Sequence, residues 1–156
     1  GLAVIRYASG MALGVMIFGV HGHAQGGDGA HMHASVKHYV LSPQSELSAF
    51  RHGLEQLGFA IQKEQMLVED GKYYVIMHVS PGTMHYEHAY EYRYGADLIR
   101  KKDPVLQEFL ERELQGEELF VHLSQAKTEG AKKRAESLKN ELMETKEAYH
   151  ALQGID

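Results

Sequence analysis

Hydrophobic and polar positions change their rhythm along this chain, and each rhythm names a kind of element. Lys37 to Leu41, Phe59 to Glu69 and Lys72 to Val79 read as strands, rich in β-branched, aromatic and alternating residues. Ser42-Pro43 stops the first of them, because proline cannot donate to a sheet ladder. Asp70-Gly71 joins the other two as a tight hairpin turn. Tyr73 to Met77 is apolar on both faces, which predicts a central, covered strand. Between the first strand and the hairpin, Leu47, Phe50, Leu54 and Leu57 share one helical face. Ser45 is placed to cap that helix and Gly58 to end it.

Beyond Pro81-Gly82 the period changes, and residues 84–152 read as almost wholly helical. Asp103-Pro104 is a helix start, followed by an apolar stripe of Val105, Leu106, Phe109, Leu110 and Leu114. Leu119, Phe120 and Leu123 continue the stripe, and Gly130 reads as a bend. Ala135, Leu138, Leu142, Thr145, Tyr149 and Leu152 then recur three or four residues apart among alternating charges. That spacing predicts a helical hairpin or a short coiled coil.

The opening 36 residues follow neither rhythm. Half of the chain's sixteen glycines fall there, and each costs about 1 kcal/mol relative to alanine inside a helix. The apolar run predicts a strand over 13–18 and then a Gly/His loop of about fifteen residues, long for a compact domain. Residues 11–20 after Arg6 also resemble the apolar core of a signal peptide, but the run is too short to span a bilayer, and the strand reading is preferred. Four strands without a first βαβ unit would leave apolar faces uncovered, so the domain reads as cut at its N-terminus.

Composition narrows the chemistry. The chain has 156 residues, 44% apolar and 24% charged, as in a soluble globular protein. It has no cysteine, which removes disulfides and thiolate zinc sites and fits a reducing cytoplasm. A formal charge of −5 gives no general attraction to phosphates. RNA contact would therefore fall to local clusters: Arg93, Arg100, Lys101 and Lys102, then Lys132, Lys133 and Arg134. Tyr86, Tyr90, Tyr92 and Tyr94, with His85 and His88, could stack on unpaired bases or pack against the fold. His21, His23, His31 and His33, with Asp28, could bind a transition metal, but glycine-rich loops preorganise ligands poorly and no specific metal site is expected. There is no Ser-His-Asp set, paired-carboxylate spacing or P-loop, and no catalytic residue is assigned.

Several stretches together resemble one family. Val36 to Gln44 looks like a strand ending in a Leu-Gln-Pro-Asn type motif, and Phe50 to Phe59 like the helix after it. Val68-Glu69-Asp70-Gly71-Lys72-Tyr73-Tyr74 matches at the hairpin; Tyr94 to Leu98 and Asp103 to Leu106 match further on. These resemble bacterial tRNA (adenine(22)-N1)-methyltransferases, class I S-adenosylmethionine enzymes with a C-terminal coiled-coil domain. Ile17 to Gly22 is similar to the family's loop near the methyl donor and the target base, with His21 where a glycine is expected. Ser42 and Gln44 depart from the family's Gln and Asn, and Ala96 from its proline.

The resemblance implies an α/β fold: the C-terminal part of a Rossmann-like sheet, ending in an antiparallel hairpin strand, plus a helical coiled-coil arm. Residues 1–36 would be a degraded or truncated remnant of the methyltransferase domain, 37–83 its C-terminal part and 84–156 the arm. It implies S-adenosylmethionine-dependent methylation of adenine N1 in tRNA, in the cytoplasm and with no membrane partner. Gly19 and Gly22 would approach the donor; Pro43, Gln44, Arg93, Arg100 and Lys101 would meet the tRNA. The family's donor-holding turn and acidic residue would lie before Gly1, leaving the chain inactive alone. The competing expectation is a non-catalytic module that binds RNA or self-associates through the helical arm.

Overall fold

A computed structural model describes residues 2–6, 12–19 and 38–155. It divides into two units, Gly1–His85 and Tyr86–Asp156.

In the first unit the strands are β1 (Leu2–Arg6), β2 (Ala12–Gly19), β3 (Tyr39–Pro43), β4 (Phe59–Glu69) and β5 (Lys72–Pro81), with helix α1 (Leu47–Gln56) between β3 and β4. They form one sheet in the order β1-β2-β3-β5-β4, and every neighbouring pair is antiparallel. Since β3 and β4 both run against β5, they are parallel to each other, and the β3–α1–β4 crossover skips one position that β5 fills. The hairpin closes as its sequence predicts: Asp70 and Gly71 have φ of 49° and 74°, and Glu69 pairs with Lys72. Positive φ at both central residues is the turn whose twist suits an antiparallel ribbon.

Alternating burial builds the core on one sheet face. Val75, Met77 and Val79 of β5 point there with Leu41 of β3, and Phe50 and Leu54 of α1 close over them. On β4 a bulge between Ile61 and Lys63 shifts the register by one residue. Ile61, Glu64 and Met66 thereby lie opposite Val79, Met77 and Val75. Tyr39 and Phe59 meet edge to face at 5.6 Å.

Several expectations change here. Leu2–Arg6 is an additional strand, and β3 continues through Pro43, where the missing N–H falls on the strand's last residue. Ser45 does not cap α1; the cap position is Glu46, in the left-handed region with φ 53° and no side-chain cap bond. Leu57 is 59% exposed, and the buried position on its side of the helix belongs to Arg51. Gly58 does end the helix, with φ 78°. Tyr74, Ile76 and His78, on the far face of β5, are half-buried rather than fully covered.

The direction of β2 also differs from a doubly wound sheet, where it would run parallel to β3. A parallel neighbour needs a packed crossover, usually a helix. The connecting sequence, with Gly22, Gly26, Gly27 and Gly29, carries no apolar helical stripe that could cover one.

The second unit is helical: α2 (Ala89–Tyr94), α3 (Ala96–Arg100), α4 (Pro104–Leu114), α5 (Glu117–Ser124) and α6 (Glu129–Gln153). Asp103 starts α4 as expected, its Oδ1 accepting from the backbone N–H of Val105 and Leu106 at 2.9 and 3.1 Å. Helix α6 returns antiparallel along α4 and α5. Tyr149 meets Glu111, Lys146 pairs with Glu117, and Leu142 lies beside Gly116. Ala135, Leu142, Thr145, Ala148 and Leu152 are its buried stripe; Leu98, Ile99, Leu106 and Leu110 are buried on α3 and α4, which pack on α6. The stripe packs as a helical hairpin, the first of the two expected forms. Gly130 is not a bend: it sits in the first turn of α6, which Thr128 caps through Ala131 N–H, and the chain turns at residues 125–128. Leu119, expected in the stripe, is 51% exposed.

Candidate functional site

The candidate residues fall into three groups. At the β2–β3 ladder, Gly19 lies opposite Tyr39 and Pro43 opposite Val15. Antiparallel pairing puts these two positions at opposite ends of the ladder, about 13 Å apart at 3.3 Å per residue. A parallel pair would have set both strand ends on one edge. Gly22 lies outside the described residues, as do His21, His23, Asp28, His31 and His33. Among the described residues, no group of histidines and carboxylates could hold a metal ion.

Pro43 is buried and Gln44 exposed immediately after it. The Gln44 side-chain amide donates back to the Ser42 carbonyl at 3.2 Å, while its Oε1 stays an acceptor toward solvent. Among the described residues no glycine-rich turn forms a cradle for a methyl donor.

In the helical unit, Arg93 lies between α2 and α6. Its guanidinium donates to Glu144 at 3.1 Å and to the Glu141 carbonyl at 3.4 Å, and stands 5.2 Å over the Tyr94 ring. A phosphate at Arg93 would have to displace a carboxylate. Arg100 and Lys101 share Asp97, at i−3 and i−4 on the same short helix, and the Arg100 side chain is 78% exposed. Lys102 follows with its Nζ over the C-terminal end of α6, so that a Cβ at Gly154 would meet it at 3.3 Å. A cation there complements the helix dipole.

The tyrosines divide. Tyr92 and Tyr94 are buried. Tyr92 Oη accepts from Tyr86 N–H at 3.0 Å, and Tyr94 Oη hydrogen-bonds Thr145 Oγ1 at 2.8 Å. Burial pushes the Tyr94 phenol above its ordinary pKa, opposed by the Thr145 bond and the Arg93 charge. Tyr90 and His88 stack at 4.9 Å near the surface. Partial burial, then the charges of Glu91 and Glu147, raise the Tyr90 pKa. That acidic setting is poor for a phosphate backbone.

Two ionic clusters escaped the sequence reading. Arg51 and Glu64 pair inside the first unit, Nη2 to Oε1 at 2.7 Å and Nε to Oε1 at 3.0 Å, both fully buried. On the surface, Glu55 meets His85 at 2.7 Å and His52 at 3.9 Å. The Asp97 pairings were readable from their spacing; Arg51 and Glu64 are joined only by the fold.

Comparison with known proteins agrees with this architecture. A family model described as TrmK, tRNA (adenine(22)-N(1))-methyltransferase, matches residues 27–147. Among solved structures, the chain is similar to Streptococcus pneumoniae Sp1610, a candidate tRNA (m1A22) methyltransferase, at 29% identity and TM-score 0.63 over 75% of this chain and 51% of that one. The same protein in complex with S-adenosyl-L-methionine gives 28% identity and TM-score 0.59, over 75% and 49%. The B. subtilis m1A22 tRNA methyltransferase TrmK gives 25% and 0.60, over 70% and 50%. The chain thus spans about half the length of the solved relatives it matches. No curated protein sequence matches it.

Proposed function

Since the chain belongs to the tRNA (adenine(22)-N(1))-methyltransferase family, we propose that it serves S-adenosylmethionine-dependent methylation of adenine N1 in tRNA. The family match over residues 27–147 carries this reading. The S. pneumoniae relative that holds S-adenosyl-L-methionine supports the donor's identity.

In this reading the chain's own contribution is recognition. Pro43 fixes the end of β3, and Gln44 beyond it presents Oε1 to accept from a base amino group. Arg100 and Lys101 contact phosphates, exchanging part of their pairing with Asp97 for the nucleic acid. Arg93 keeps α2 on α6 through Glu144, and engages phosphate only where a carboxylate yields. Gly19 and Gly22 are the candidates for backbone approach to the donor, with Gly19 at the end of the β2–β3 ladder away from Pro43. The cytoplasm, where tRNA is modified, is the proposed compartment. No helix among the described residues is long and apolar enough to cross a membrane.

The test is incorporation of labelled methyl from S-adenosylmethionine into unmodified tRNA by the purified 156-residue chain, with product mapping to adenine N1. Incorporation supports the reading in full. Binding of tRNA without incorporation or donor binding would instead support a non-catalytic RNA-binding module.

A further inference from the structure

Strand β4 is the outer edge of the sheet among the described strands. Edge strands carry unpaired backbone donors and acceptors, and proteins normally blunt them. The first part of β4 is blunted by the bulge between Ile61 and Lys63 and by the inward-pointing carboxylate of Glu64. Residues 63–69 beyond it are regular strand, about 23 Å long at 3.3 Å per residue. This stretch exposes Leu67 and Val68, 38% and 45%, on opposite faces.

Its charges are arranged for one partner. Lys63, Gln65, Leu67 and Glu69 share the face away from α1, all exposed. Among the described residues neither Lys63 nor Glu69 forms an ion pair within the chain. A two-fold axis perpendicular to the sheet pairs residues of equal parity, because opposite residues must share a face. With Met66 opposite Met66, Lys63 falls against Glu69 and Gln65 against Leu67, each twice by symmetry. Centring the axis on Gln65 or on Leu67 leaves both charges without an opposite partner. Register is thus encoded by the sequence of the edge itself.

We propose that β4 is a self-association edge, joining two copies of this chain antiparallel through residues 63–69 with Lys63 and Glu69 as reciprocal ion pairs. The two sheets become one, and Leu67 and Val68 are covered. The contact is narrower than a standard interface, so the dimer is a weak one that forms and separates with concentration. The proposal stands on edge geometry and does not depend on the methyltransferase reading.

Sedimentation velocity of the full chain, from micromolar concentration to about 1 mM, the range of weak complexes, tests it. The native chain should dimerise as concentration rises, and less so at high salt. Lys63→Glu, which sets like charges opposite each other twice, should weaken the dimer at least about tenfold. The double exchange K63E/E69K should restore it, with melting curves showing that each variant folds. Met143→Glu on α6 should leave the dimer unchanged. A chain that stays monomeric throughout, a dimer indifferent to K63E, or one abolished by M143E instead overturns the proposal; the last would assign the contact to the helical arm.

Discussion

Arg51 sits at i+4 from Leu47, on the stripe that packs α1 against the sheet, yet a charge there reads as an interruption of the apolar pattern. Its partner is equally hidden. In a regular strand Ile61 and Glu64 would face opposite sides; the bulge between Ile61 and Lys63 turns both toward α1. No local spacing announces such a pair, which is why the core was legible through Phe50, Leu54, Val75 and Met77 and its ionic centre was not. Removing one member leaves the other charge buried, so Arg51→Met should cost about 3 kcal/mol in urea unfolding. The double variant R51M/E64L should recover most of that loss, since an apolar pair of similar volume carries no desolvation cost. Tyr94 is the second test at this scale. An unfolded tyrosine ionises near 10.0, whereas burial holds folded Tyr94 protonated to higher pH. The unfolded chain therefore sheds its proton first, and stability present below that pH falls as pH rises through the folded value. Tyr94→Phe should remove its share of the alkaline slope and cost about 1 kcal/mol at neutral pH through the lost bond to Thr145.

At the scale of elements, the boundaries that came through carry their own signals. Asp103-Pro104 caps α4 with a side chain that accepts two backbone N–H bonds, and Asp70-Gly71 supplies two positive φ values. Asp103→Ala should lower stability by about 1 kcal/mol, with Asp103→Ser largely retaining it, measured by thermal melting. The boundaries that failed had competing signals. Gly130 resembles a breaker, yet a glycine in the first turn of a helix disrupts little, and Thr128 just before it was the stronger mark. Ser45 and Glu46 compete for the start of α1, and the chain resolves this with left-handed backbone at Glu46 that no residue type advertises. The α4–α6 hairpin was readable because each of the two helices carries its own apolar stripe, although α5 between them buries no residue.

For the whole molecule, residue order and spacing made the family legible from Val36 onward, and the model match from residue 27 agrees. What the pattern did not encode is strand direction. Alternation tells which face is buried, not which way a neighbour runs, so the antiparallel pairing of β2 with β3 was out of reach. The net charge of −5 has a consequence at this scale. Under the proposed function, attraction to tRNA would rest on few cations, so binding should weaken only modestly between 50 and 200 mM salt, by about tenfold or less, against the far steeper loss of proteins that neutralise many phosphates. Filter binding across that salt range checks it, and Arg100→Glu should flatten the slope further.

The skipped position in the β3–α1–β4 crossover bears on synthesis. Until β5 arrives, β3 and β4 stand two ladder widths apart, about 10 Å, with nothing hydrogen-bonded between them. A nascent chain that has emerged only through Glu69 thus holds the β1–β2–β3 ladders and a helix, but no partner strand for β4. The crossover stays open until Pro81 has left the ribosome, because the last-made strand is the one that joins β4 to β3.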